Sequence, residues 1–73
     1  MTTTPRQDDG IARAAADLWR VLRADGTIAG HVRRVRDGHD DLWVTLRYRA
    51  GAGFVEMGRF RDRALATDVA RAG

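Results

Sequence analysis

His39-Asp40-Asp41, with His31 eight positions earlier, is the group in this 73-residue chain that brings imidazoles and carboxylates close in sequence. Such groups can ligate a divalent metal or share general acid–base work. The spacing matches no metal-binding signature, and a turn holding His and Asp is ordinary solvated chemistry. Lys, Ser and Cys are absent, which removes the Schiff-base lysine, the serine nucleophile and the cysteine thiolate together. A chain of this size also has little room for a closed pocket. Ala50-Gly51-Ala52-Gly53 is too short for a phosphate loop and leads into a strand instead of a helix. The expectation is a protein that is not an enzyme, with no catalytic residue, no metal, no cofactor and no small-molecule substrate.

Arginine is the other chemistry on offer. All 13 basic side chains are Arg, set against nine Asp and one Glu, for a net charge of +3. Residues 28–61 hold seven of them, at 33, 34, 36, 47, 49, 59 and 61, against Asp37, Asp40, Asp41 and Glu56. That local excess of three equals the charge of the whole chain. A guanidinium fork meets a phosphate, or the O6/N7 edge of guanine, through two parallel hydrogen bonds. The same arginines would equally serve as a solvated outer face that keeps an edge-rich sheet from aggregating.

These side chains need elements to hold them. Met1 to Gly10 reads as a polar tail, and residues 11–73 as one small domain. Ile11 to Ala24 has two readings. Ile11, Ala15, Leu18 and Leu22 form a helical stripe that Gly26 would end. Alternatively a helix stops near Asp17, Trp19 to Arg23 is a strand, and Asp25-Gly26 is a hairpin turn. Ile28 to Arg36 is a strand ending at Asp37-Gly38, Leu42 to Arg49 a second, and Phe54 to Phe60 a third. Asp62 caps a final helix in which Leu65, Val69 and Ala72 share a face with Ala66. The fold class is α+β: an antiparallel meander of three or four strands with a C-terminal helix packed on one face, and an N-terminal helix in the first of the two readings.

The middle strand alternates. Leu42, Val44, Leu46 and Tyr48 point one way and are expected under the final helix. Trp43, Thr45, Arg47 and Arg49 point the other way and are expected to stay open. Arg33, Arg34, Arg36 and Arg59 on the neighbouring strands are expected to join that open surface.

The run Gly30-His31-Val32-Arg33-Arg34-Val35-Arg36-Asp37-Gly38, then Leu42-Trp43-Val44-Thr45-Leu46-Arg47, then Met57-Gly58-Arg59-Phe60, resembles the ethylene-response-type (apetala-like) DNA-binding domain. It is similar also to the arm-binding domains of phage-type integrases. The resemblance covers residues 30–72, and Gly58, Phe60 and Ala66 match its last part in spacing. It implies three antiparallel strands, a packed helix and a sheet that enters the major groove. Arg33, Arg34, Arg36, Trp43 and Arg47 would then touch DNA. The acidic trio at the first turn, a Trp-to-Arg spacing one residue shorter, and the segment before residue 30 depart from that pattern.

The function expected is a small cytoplasmic DNA-binding protein, a regulator or mobile-element accessory factor, that associates with no membrane. Its nucleic-acid-binding residues would be Arg33, Arg34, Arg36, Trp43, Arg47, Arg49 and Arg59. The alternative is a non-enzymatic interaction module that binds a protein partner or itself through a sheet edge or the amphipathic N-terminal segment. Trp19 would be its anchor.

Overall fold

A computed structural model describes residues 10–72; the tail expected over Met1 to Gly10 lies outside the described residues except for Gly10. The chain forms β1 (Ile11–Ala15), β2 (Leu18–Leu22), β3 (Ile28–Asp37), β4 (Asp40–Arg49), β5 (Gly53–Phe60) and α1 (Arg63–Ala72). All five strands pair antiparallel in chain order in one sheet, with α1 laid across one face. This is the α+β class expected, with one strand more than the three or four read from sequence.

The extra strand comes from the N-terminal segment. No helix forms from Ile11 onward, whether run through or stopped near Asp17, because Ile11–Ala15 and Leu18–Leu22 pair as a hairpin; the strand read over Trp19 to Arg23 is present as β2. Val21 points inward along β2 into the core and the half-buried Trp19 packs on Trp43, and that tertiary gain outweighs the helical preference of an Ala-rich stretch. The turn signal after β2 is confirmed. The Asp25 carboxylate accepts the Thr27 N–H at 3.0 Å and the Thr27 hydroxyl at 2.7 Å, and Gly26 takes a φ of 88°, which suits glycine.

The helix starts as expected. Asp62 caps it, its side chain accepting the Ala64 N–H at 2.9 Å. Its buried residues are Ala66, Thr67 and Ala70; of the face anticipated, Ala66 is buried and Val69 half-buried, while Leu65 is 48% exposed and Ala72 is exposed. Small residues turn inward because the helix sits close to the sheet. A Cβ on Gly30 would stand 3.3 Å from that of Ala70.

The helix also chooses the other side of the sheet. The core cluster beneath it is Val21, Ala29, Val32, Ala66 and Ala70, with Trp43 and Phe60 packed against it. The buried Thr45 hydroxyl donates to the Ala66 carbonyl at 2.9 Å, and Arg47 reaches the Ala70 carbonyl at 3.4 Å. The Trp43–Thr45–Arg47 side of β4 is therefore covered. Among the described residues, no helix covers the Leu42–Val44–Leu46–Tyr48 side.

Candidate functional site

Register assigns each side chain to a face. Cross-strand pairs share a face and neighbours along a strand do not. Arg34 pairs with Trp43, and Arg33 with Val44, so Arg33 and Arg34 point to opposite sides. Arg34, Trp43 and Arg47 lie on the helix side, while Arg33 and Arg59 lie on the open side, where both are register partners of Val44. The single open surface expected to hold Arg33, Arg34, Trp43 and Arg47 does not form, because adjacent strand residues cannot share a face and α1 lies over Arg47.

On the helix side the aromatic rings are already engaged. Trp19 and Trp43 stand 5.4 Å apart between centroids. Arg13 and Arg34 lie over Trp19 at 5.7 and 5.8 Å, and Arg63 over Trp43 at 5.7 Å. Arg34 Nε and Nη2 converge on Asp17 Oδ1 at 2.9 and 2.6 Å. Asp41 takes Arg36 at 3.3 Å, and Arg61 takes Asp40 at 3.2 Å and Asp37 at 3.8 Å. The acids around the β1–β2 and β3–β4 turns thus each have a guanidinium partner.

The open face is sorted differently. Arg59 is held by Glu56 at 2.7 Å, and that hydrogen bond, with the charges of Arg59 and Arg33, keeps the Glu56 carboxyl below its usual range. Arg20 and Arg33 have no carboxylate partner among the described residues; Arg49, which also has none, falls on the helix side of β4 with Trp43 and Arg47. Arg20 and Arg33 flank the apolar middle of the face, where Val44 is fully buried without a helix above it. The long side chains at both of its register positions supply aliphatic stems able to shield it.

Toward the β2–β3 and β4–β5 turns the open face becomes aromatic. Tyr48 and Phe54 are cross-strand partners, 63% and 54% exposed, with ring centroids 5.7 Å apart. His31 meets Phe54 edge-on at 4.9 Å. The β3–β4 ladder ends at His31 and Leu46, so the strands part beyond it. They leave an open cleft of about 500 Å³ lined by Arg23, Ile28, Ala29, Gly30, His31, Arg47, Tyr48 and Phe54. Arg20, Arg23, Tyr48 and Phe54 were not singled out as binding residues from sequence. The signal was there: Tyr48 and Phe54 bracket a glycine-containing hairpin turn, the spacing that sets two aromatics side by side.

His31 sits at the edge of this cleft with its Nδ1 buried and without a hydrogen-bond partner. Burial, reinforced by Arg20, holds its pKa below the ordinary 6.5. The imidazole is then neutral in the folded protein at pH values where an unfolded His binds a proton. The unfolded state takes up more protons, so stability falls as pH drops from about 6.5 through the folded value. The protein should melt at a lower temperature at pH 5 than at pH 7.5, and His31→Leu should flatten that difference in a thermal melt. An unchanged slope in the variant would place the titrating group elsewhere.

The edges of the sheet are poor templates for pairing. In β1 the register slips between Arg13 and Ala15, and in β5 the residue Met57 stands extra opposite Thr45–Leu46. A bulge on each edge strand bends it away from a flat partner. The amphipathic N-terminal segment is likewise spent, built into the sheet as β1 and β2. Among the described residues no helix is long and apolar enough to cross a membrane, and no three His, Asp or Glu side chains gather as a metal site would need. No family model matches the chain, and no curated protein or solved structure matches it either.

Proposed function

We propose that this chain is a non-enzymatic nucleic-acid-binding module working through the sheet face opposite its helix. The observation that carries this reading is the sorting of the arginines. Those near the acidic turns are neutralised by Asp17, Asp37, Asp40 and Asp41. Arg20 and Arg33 stand on a face that no described element covers, beside exposed aromatic rings, while Arg49 falls on the helix side of β4. A polyanion supplies the carboxylate-like partners those two lack, and the rings offer π-faces to bases. The major-groove contact set drawn from the resemblance does not carry over, since Trp43 and Arg47 belong to the helix side. Arg33 is the member of that set that lies on the open face without a carboxylate partner.

Arg20 and Arg33, without carboxylate partners among the described residues, set the scale of the test. Single-stranded DNA binding should weaken with a log–log salt slope of about −1.4, since each neutralised phosphate contributes about 0.7. Raising salt from about 50 to 200 mM would then cost roughly sevenfold in affinity, read by fluorescence anisotropy of a labelled oligonucleotide. Affinity that does not change with salt, or no binding at the lower salt, overturns the reading. A protein that ignores DNA and sediments as a dimer would assign the open face to a second copy of the chain. Because a few arginines make a monomer a weak binder, a regulatory or mobile-element role would need a tethered partner to multiply the affinity.

A further inference from the structure

We infer that the cleft where β3 and β4 part is a subsite for one unpaired nucleobase, so the module selects single strands over duplex. This rests on the nucleic-acid reading above and names which feature of the polymer the site recognises. Four observations converge. Beyond His31 and Leu46 the two strands have no register partners across the gap, so the backbone around Gly30 and Arg47 borders an opening instead of a ladder. The cleft's volume of about 500 Å³ lies within the range of about 300–1,000 Å³ typical of sites for small planar ligands. Tyr48 and Phe54 stand at its mouth, more than half exposed and set edge to face, which leaves ring faces free for stacking. Arg23 lines the same cleft, its guanidinium held in place by the Thr27 hydroxyl at 3.3 Å and the Ile28 carbonyl at 2.9 Å.

The occupant follows from shape and charge together. An apolar side chain of a protein partner would fill the cleft, but it would leave Arg20 and Arg33 unmatched on the adjoining face. A base on a phosphate chain satisfies both: the ring stacks at the aromatic end while neighbouring phosphates run along the arginines. A paired base cannot enter, because its faces are stacked within the duplex and its edge is occupied. Neutral His31 at the cleft wall adds no charge to repel Arg23 or Arg20. The pattern matches the general way single strands are held, by aromatic platforms within a cationic groove.

The test titrates the full chain with three labelled probes of equal length: oligothymidylate, the same backbone with abasic sugars, and a duplex. Oligothymidylate should bind roughly five- to 150-fold more tightly than the abasic strand, the range expected from stacking one base. Tyr48→Ala and Tyr48→Leu should each bring its affinity down toward the abasic level. The leucine variant keeps apolar bulk at an exposed position, and a melting curve shows that it folds. Equal, salt-sensitive affinity for oligothymidylate and abasic strand overturns the base subsite but leaves polyanion binding standing. Duplex binding more tightly than the single strand does the same. Failure of all three probes at low salt overturns both readings.

Discussion

Gly30→Ala is expected to destabilise the protein by about 1–3 kcal/mol, lowering Tm by at least about 4 °C. The reason is geometric. The added Cβ would stand 2.8 Å from the Leu46 carbonyl oxygen and 3.3 Å from the Ala70 Cβ. The first is backbone and cannot swing aside; the second is the underside of α1. Relief requires β3 to draw away from β4 or the helix to rise off the sheet. Either movement loosens the packing around Val21 and Val32, which are among the largest fully buried side chains. Ala70→Gly in the same background should recover part of the loss, because it removes the second contact and leaves the first. On its own that change costs about 1 kcal/mol of helix propensity, so the relief must be read as a coupling in a double-mutant cycle. A Gly30→Ala variant melting with the parent would mean that the helix does not approach the sheet this closely. The cleft would then lack the wall that Gly30 gives it.

The same close approach explains which parts of the fold could be read from sequence. The three long strands, the turn at Asp25-Gly26 and the Asp62 cap follow from local chemistry, and all are present. The side chosen by the helix does not follow from β4 alone. Leu42, Val44 and Leu46 make one side of that strand look like the buried one. The choice is made across the whole sheet. The side with Trp43 and Thr45 gains Trp19 and Val21 from β2, Val32 from β3 and Phe60 from β5. The other side gains Arg20, His31, Arg33, Glu56 and Arg59, which are costly to cover with a helix. Gly30 on the first side also gives α1 room to settle, and Gly58 leaves space for the Phe60 ring. Thr45, fully buried there beside the core, finds its acceptor in the Ala66 carbonyl. Read from one strand, the faces come out reversed; read from paired strands, they do not. The β1–β2 hairpin was hidden for a related reason. Its sequence favours a helix, and only the partner strand β3, far along the chain, makes the extended form the better one.

Arg33 and Arg34 are adjacent in sequence and should nevertheless fail in opposite ways when changed. Arg33→Glu is expected to lower affinity for single-stranded DNA by roughly tenfold or more at a stability cost of at most about 1 kcal/mol, the shorter stem shielding Val44 less and the new carboxylate facing Glu56. Its guanidinium has no carboxylate partner among the described residues. Reversal removes one phosphate contact and sets a carboxylate against the strand, close to Glu56. Arg34→Ala is expected to cost about 1–2 kcal/mol of stability and to leave affinity within about twofold. That side chain ties Asp17 in the β1–β2 turn to β3 and lies over Trp19. It is partly shielded, with 37% of the side chain exposed. An exposed ion pair contributes up to about 1 kcal/mol and a cation–π contact a similar amount. The backbone link from the Arg34 N–H to the Asp17 carbonyl, 2.8 Å, survives the change, which sets the upper limit of the loss. Two arginines on one binding face, as a single-strand reading of the sequence suggests, would instead lower affinity together. If Arg34→Ala weakens DNA binding as much as Arg33→Glu does, the interface lies on the helix side, and the aromatic cleft is not where the polymer sits.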